Sequence, residues 1–599
     1  NEFNGKPFPL SQATATLRPE FSNATTLVNF NPTVNYTTAN KWLQYDGNTL
    51  GNIIDRSTGT LFSAGSTTGT TAFFGFGVSG ATNTMDDPGL YNFTGNKFLF
   101  YPILGEYDPV STYTINGPYI GGGTWQNGAG VGGNNAVDIT LNGFHQTYNT
   151  NISNVNTAAT RNALMAGGAE TSVAFQQNEM IVFPTKLTDV EVNKVESYLA
   201  VKYGQTLSKE QNRNYLNSAG TVVWDGSVID YYNNVFGIAR DDISALHQKQ
   251  SQSITDGQKL IIGAGSSLTN TNAANTNSLA EGQFLMTGDN GLFQGLKTPL
   301  AYTAGSNGAT NYRFESIWKV QNTGSVGSVT VAWPKGVKNL YLVQSPDAVF
   351  DGTDTFTPMI TEVTVNGVVY NTANVTLGNG QFFTFAGFGN APGGVANGLS
   401  YWYRADKNVA NTGAATDVTG WTDVWNGTTV AQLGTNTLPK YVLGASNYFN
   451  FNPGINFTAN TQTLGNNTVR TLTSLNYDVF TFTKEGLTGS GFPRLFSTGM
   501  DNTTTNDQNW DGFGIWPAST NLERRPYGGG TQYPAVAPAF SATIPSIMYF
   551  RNTNTATSKG LNGAAMATAT NFNAVGNMFG GHIFGDTRFS SNGSDNSGF

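Results

Sequence analysis

The residues whose types and spacing could do chemistry are a few carboxylates and a few tryptophans. Asp86-Asp87 lies in a Gly-rich stretch, and Asp351-Gly352-Thr353-Asp354 places two carboxylates three residues apart. Ca²⁺ takes six to eight oxygens, carboxylates and carbonyls among them, so either stretch offers a partial ligand set. Asp-Gly-x-Asp is equally an ordinary turn, and both readings stand. Trp125 sits within Gly121-Gly122-Gly123-Thr124-Trp125-Gln126-Asn127-Gly128, which reads as a loop. Trp510 and Trp516 flank Gly512-Phe513-Gly514. An exposed indole stacks on a pyranose ring; an indole buried in a core is the commoner fate.

Catalytic constellations are thin. The chain holds three histidines, His145, His247 and His582, and no cysteine, with no His-x-x-x-His spacing for zinc. No Gly-x-Ser-x-Gly elbow joins a strand pattern to a helix pattern. Glycoside hydrolysis needs two carboxylates flanking one bond, which on a strand means acids at i and i+2 or i+4. The acids here make no such array: Glu179 is alone in Asn178-Glu179-Met180-Ile181-Val182-Phe183. No enzyme is expected, with a glycoside hydrolase as the remote alternative. Arg240-Asp241-Asp242 is a dense charge cluster in a chain only 11% charged. It reads either as a structural ion pair near a domain junction or as a ligand site.

These residues must be positioned by sheets. Asn-Gly and Asp-Gly pairs recur, among them Asn142-Gly143, Asp225-Gly226, Asn366-Gly367 and Asn562-Gly563, and suit primed hairpin turns. Alternating stretches such as Ser328-Val329-Thr330-Val331-Ala332-Trp333 and Phe382-Phe383-Thr384-Phe385 lie between them. The fold class is all-β, as tandem antiparallel β-sandwiches. One short α-helix is predicted near 188–203. Thr188 is its N-cap, Glu191 completes a capping box, Val192, Val195 and Leu199 form its apolar stripe, and Gly204 stops it.

Composition narrows the partners. Formal net charge is −8 with no basic stripe, so nucleic acid is not an expected partner. No run of about 18 apolar residues exists to span a membrane as a helix. A cysteine-free chain of 599 residues suits a large bacterial surface protein that crosses an oxidising compartment.

A long repeat organises the chain. Asn29-Phe30-Asn31-Pro32-Thr33-Val34-Asn35-Tyr36-Thr37 returns as Asn450-Phe451-Asn452-Pro453-Gly454-Ile455-Asn456-Phe457-Thr458. Further matches are Leu61-Phe62-Ser63 with Leu495-Phe496-Ser497, Phe76-Gly77 with Phe513-Gly514, and Leu141-Asn142-Gly143 with Leu561-Asn562-Gly563. The expected domains are a jelly roll over 1–205 without its first strand, a second, Ig-like sandwich over 206–393, and a jelly roll over 394–599 without its last strand and helix. The chain then reads as a window cut from a longer one.

Tyr401-Trp402-Tyr403-Arg404-Ala405-Asp406, followed by Trp421-Thr422-Asp423, resembles the opening of concanavalin-like, LamG-type jelly rolls of Bacteroidetes surface proteins. Lys194-Val195-Glu196-Ser197-Tyr198-Leu199-Ala200-Val201-Lys202-Tyr203-Gly204 is similar to their closing helix. Asn234-Val235-Phe236-Gly237-Ile238-Ala239-Arg240-Asp241-Asp242, with His247-Gln248-Lys249-Gln250-Ser251, resembles the companion domain that follows. The resemblance is to giant adhesins exported by the type IX secretion system, including those of flavobacterial gliding motility. It implies an extracellular, cell-surface protein and a filamentous stalk for attachment. The implied partners are a surface polysaccharide or an abiotic surface, and the secretion and gliding machinery. It also implies Ca²⁺ at a loop rim as the one cofactor to test. A lectin-like carbohydrate-binding module is the alternative function.

Overall fold

The computed structural model describes residues 174–395, apart from 256, 304 and 305. Before them it describes 2–3, 6–7, 10–24, 27–38, 41–46, 57–69, 71–77, 85–93, 97–101, 115, 117–130, 135–150 and 163–167. After them it describes 399–411, 417–425, 427–432, 437–442, 450–457, 462–466, 471–472, 477–484, 494–499, 511–516, 521–526, 545–553, 556–564, 567–570 and 578–584. The chain divides into two compact units, Asn1–Asn390 and Ala391–Phe599. Both are built from antiparallel sheets.

The first unit opens with a two-sheet sandwich. One sheet orders its strands as 144–150, 135–141, 117–126, 58–67, 175–183, 33–36 and 20–22. The facing sheet runs 42–46, 163–167, 71–77, 85–93, 97–101. Tyr36, Leu61, Phe73, Phe98, Phe100, Tyr119, Trp125 and Phe175 fill the space between them. Such rings need room, and the Gly117–Gln126 strand supplies it. A Cβ on Gly121 would come within 2.3 Å of the Phe98 ring, and one on Gly123 within 2.4 Å of the Phe100 ring. Gly121-Gly122-Gly123 is therefore strand, not loop: each residue pairs with the 58–67 and 135–141 strands.

Side chains alternate across the central strand, and both faces are covered. Leu61 points into the ring core, whereas Phe62 and Ala64 face the other way with Ile120. There they meet the helix Asp189–Tyr203. Thr188 caps it: its hydroxyl accepts from the Glu191 N–H while the Glu191 carboxylate accepts from the Thr188 N–H. Gly204 ends it at φ 68°. Val192, Leu199 and Val201 of the helix share one cluster with Phe62 and Ile120 on one side and Tyr215, Trp224, Val235, Ala239 and Met286 on the other. The helix is thus common core for two sandwiches, which explains why residues 1–390 form one unit.

The second sandwich has a sheet running 246–248, 233–241, 284–289, 318–323, 382–387, 310–314, 296–302, with 341–345 and 355–358 branching from the 382–387 strand. Its partner sheet runs 250–251, 261–264, 328–334, 368–376, 361–365. Trp318, Val329, Val331, Trp333, Phe383 and Phe385 make its core, following the alternation of the two stretches that carry most of them.

The second unit repeats the strand order of the first sandwich. Its four-strand sheet, 477–483, 546–552, 556–561, 567–570, follows the order of 58–67, 117–126, 135–141, 144–150. Its larger sheet contains 464–466, 578–584, 494–499, 511–516, 521–526, in the order of 42–46, 163–167, 71–77, 85–93, 97–101. The turns coincide too. Asn29 and Phe30 have φ of 46° and 66°, and Asn450 and Phe451 have 49° and 62°. Asn142 exchanges two hydrogen bonds with the Ile120 backbone, and Asn562 does the same with Ile547.

This topology corrects two of the sequence matches. Leu61-Phe62-Ser63 lies in the 58–67 strand, whose counterpart is 477–483, while Leu495-Phe496-Ser497 lies in the counterpart of 71–77. Phe76-Gly77 and Phe513-Gly514 likewise sit on neighbouring strands of the pattern, not on equivalent ones. Leu-Phe-Ser and Phe-Gly lack a turn residue to fix their place, and in a chain rich in Phe and Gly such words recur by composition.

Candidate functional site

Of the residues singled out for sugar and calcium, those whose side chains are described, Trp125, Asp351 and Asp354, have structural contacts. Trp125 is fully buried in the Gly117–Gln126 strand, with its ring 5.7 Å from that of Phe100. The exposed-ring reading fails there because the glycines beside it make room for a core, not for a flexible loop. Trp510 lies outside the described residues, and Trp516 ends the strand Asp511–Trp516 with its side chain outside them. Asp86 and Asp87 fall in the strand Met85–Phe93, not a loop, and their side chains are outside the described residues. Asp351 spends its carboxylate on its own turn, accepting from the Thr353 N–H at 2.7 Å and the Thr353 hydroxyl at 2.6 Å. Asp354 accepts from the Asp351 N–H at 2.9 Å. That is the ordinary-turn reading of Asp-Gly-Thr-Asp.

What the fold does bring together is a buried junction. The Asn29–Asn31 turn of the first sandwich is pinched shut by paired backbone bonds between Val28 and Asn31, at 3.0 and 2.9 Å. Left-handed φ at a phenylalanine is strained, and it persists where surroundings over-determine it. Here they do. Phe30 inserts into the second sandwich against Ile261, Leu268, Ala332, Val365 and Tyr370. The Asn29 amide donates to the Lys202 carbonyl at 3.0 Å and the Ser251 hydroxyl at 2.9 Å, and its oxygen accepts from the Gln252 N–H at 2.8 Å. Asn31 donates to the Lys202 carbonyl at 2.8 Å and Gln248 at 3.1 Å. Gln248 donates back to the Asn29 carbonyl at 3.0 Å, and the Asn272 N–H reaches the Phe30 carbonyl at 2.9 Å. The plug thus satisfies the last helical turn and the second sandwich at once, as burial of polar groups demands. Gly204 has a second use here, since a Cβ on it would lie 2.2 Å from the Gln252 carbonyl.

Two charged clusters brace the helix. Glu196, fully buried, faces His145 with Oε2 2.6 Å from Nε2, accepts from the Thr140 hydroxyl, and has Arg213 3.5 Å away. Burial alone would push its carboxyl up. The His145 charge and hydrogen bond, Arg213 and Thr140 more than offset that and hold it below the usual carboxylate range. A hydroxyl, an imidazole and a carboxylate meet here, but in the wrong order for catalysis: the hydroxyl donates to the acid and not to the ring that would activate it. Glu179, far from solitary, accepts from the hydroxyls of Tyr198 and Tyr203 at 2.8 and 2.9 Å and from Lys202 at 2.7 Å. Burial, then the Glu179 charge, lifts both phenols well above the usual tyrosine range.

Arg240 and Asp242 form an exposed two-bond pair at 2.8 and 2.9 Å. Asp241 turns inward and accepts from the N–H and hydroxyl of Ser218, both at 2.7 Å. The cluster is therefore structural in its contacts. His145 and His247 belong to different neighbourhoods, and among the described residues no group of three or more metal-binding side chains occurs.

Residues 191–381 match a family described as "Domain of unknown function (DUF8202)". The matched stretch runs from the first turn of the helix to the edge of the 382–387 strand. It contains every partner of the plug named above, while the plug itself lies outside it. No curated protein matches the sequence. Solved structures give distant likenesses. The botulinum neurotoxin type G receptor binding domain is 10% identical, with 64% of this chain and 95% of that one covered and a TM-score of 0.25. The LG1-3 region of the laminin alpha2 chain is 9% identical, with 93% of each covered and a TM-score of 0.19. The Trypanosoma rangeli sialidase bound to the inhibitor DANA is 9% identical, with 88% and 90% covered and a TM-score of 0.24. Scores this low do not place the chain in any of those folds.

Sequence reasoning missed the junction as a site. Its signal was present in the best repeat match, where two asparagines bracket a phenylalanine.

Proposed function

We propose that the chain is a non-catalytic, force-transmitting segment of an extracellular adhesive stalk. The observation that carries this reading is the buried junction, in which a turn of one sandwich plugs the next while a shared helix packs on both. Seven side-chain and backbone hydrogen bonds at one junction are more than a flexible linker needs. Each adds a net 0.5–1.5 kcal/mol or so, and the buried Phe30 adds about 1.5–3 kcal/mol. Sandwiches joined in this way resist independent motion at the junction. The resemblance to Bacteroidetes adhesins supports placement at the cell surface, export by the type IX system, and attachment to a polysaccharide or an abiotic surface.

Calorimetry tests the reading. Residues 20–387 of the intact chain should melt in one transition whose van't Hoff and calorimetric enthalpies agree. Two independent transitions for its two sandwiches would remove the basis for a stiff stalk. A glycan array on the same protein weighs the lectin-like alternative: a selective, saturable hit would favour a sugar-binding module.

A further inference from the structure

The second unit carries the same plug, and there it is uncovered. Phe451 is 79% exposed where Phe30 is 5% exposed, and Asn450 and Asn452 are not buried as Asn29 and Asn31 are. The backbone conformation is nonetheless the same, and Asn452 donates to the Asn450 carbonyl at 3.1 Å as Asn31 does to Asn29 at 2.9 Å. Among the described residues, the left-handed Phe451 is held by no cluster of the kind that buries Phe30.

A separate face repeats the contrast. The hydrogen-bonded turn sets Ile547 in the place of Ile120. Ile547 pairs with Phe482, and Tyr549 with Phe480, just as Ile120 pairs with Ala64 and Gly122 with Phe62. In the first unit Phe62, Ala64 and Ile120 lie under the helix. In the second, Phe480, Phe482 and Ile547 are 70%, 55% and 52% exposed. Both surfaces that the helix and second sandwich cover in the first copy are thus present, apolar and open in the second. Exposed patches of this kind mark interaction sites.

We infer that the Asn450–Pro453 turn and the Phe480–Phe482–Ile547 face together form a docking surface for a further copy of residues 174–390, that is, the closing strand of the first sandwich, the helix and the second sandwich. The helix covers the sheet face. Its last-turn carbonyl, together with the counterparts of Gln248, Ser251 and Gln252, receives the asparagines. The pocket equivalent to Ile261, Leu268, Ala332, Val365 and Tyr370 receives Phe451. This rests on the stalk reading and names its partner. Its test reads surface protection and not cooperativity, so the two can fail separately.

The chain has no cysteine, so a single introduced thiol reports on one position. Phe451→Cys and Ile547→Cys are made separately in the 599-residue chain and in that chain extended after Phe599 by a copy of residues 174–390. Phe30→Cys and Ile120→Cys are the buried references, and Val331→Cys in the appended copy reports its folding. The expected result is rapid maleimide labelling of the F451C and I547C variants of the 599-residue chain. In the extended chain both variants should slow to the rates of the F30C and I120C references. If the appended sandwich folds while the thiols at positions 451 and 547 react as before, the inference is overturned. An appended copy that stays unfolded beside an intact turn counts against it equally, since a fitting plug should complete that sandwich.

Discussion

The side-chain amide of Asn29 lies 2.9 Å from the Ser251 hydroxyl, 222 residues further along the chain. That bond ties the turn of one sandwich to the edge strand of the next, and Phe30 beside it is core for a domain to which it does not belong. Stability of the second sandwich therefore depends on the first.

Phe30→Ala should show this directly. Removing a buried phenylalanine costs about 3–5 kcal/mol through lost burial and the cavity left behind. The loss should appear as a lower denaturation midpoint of the single transition expected for residues 20–387. An unchanged midpoint would mean that the plug is idle.

Glu196→Gln tests the buried charge cluster. Breaking a buried ion pair leaves the partners uncompensated, at about 3–5 kcal/mol. A pH series sharpens it. The folded Glu196 carboxyl lies below its usual range, so its stabilising contribution is complete above the unfolded value of about 4.3 and is lost as pH falls through the folded value. Wild-type denaturation midpoints should drop on acidification more steeply than those of the variant. Parallel curves would contradict the assignment.

Trp125→Ala separates core from sugar site. The fully buried ring predicts a loss of about 3–5 kcal/mol in unfolding free energy and no selective change on a glycan array. A stable variant that has lost a glycan hit would reverse that conclusion.

Gly123→Ala probes the ring layer. With Phe100 atoms 2.4 Å from the new Cβ, overpacking should cost about 1–3 kcal/mol, read as a lower melting temperature of the joint transition of residues 20–387. The same change at Gly327, where nothing lies within 4 Å of the added carbon, should leave the melting temperature in place.

Local rules were readable from the residues, and long-range ones were not. The helix was legible end to end because its capping box and glycine stop are written between Thr188 and Gly204. Hairpins were legible from Asn142-Gly143, Asn366-Gly367 and Asn562-Gly563, whereas Asp225-Gly226 lies between the 222–224 strand and a 3-10 turn and makes no primed hairpin. Trp125 was misplaced because three consecutive glycines signal a loop unless one knows that Phe98 and Phe100 lie across them. Glu179 looked solitary because Tyr198, Lys202 and Tyr203 reach it from another element. The junction was hidden for the same reason: nothing local to Asn29 announces Gln248 or Ser251. The repeat itself was visible, and the words that mark a turn, Asn-Phe-Asn-Pro and Leu-Asn-Gly, fell on equivalent positions, whereas the Leu-Phe-Ser and Phe-Gly words did not.

The plug also sets a schedule for biosynthesis. Tyr370, which lines the cavity for Phe30, is made 340 residues later. At ribosomal rates of roughly 5–20 residues per second, that is a delay of about 17–68 s. The first sandwich is complete only once Phe183 is made, and for the remaining 187 residues, about 9–37 s at the same rates, its Phe30 waits for its pocket. Adjacent sandwiches are clasped in the order in which the ribosome releases them.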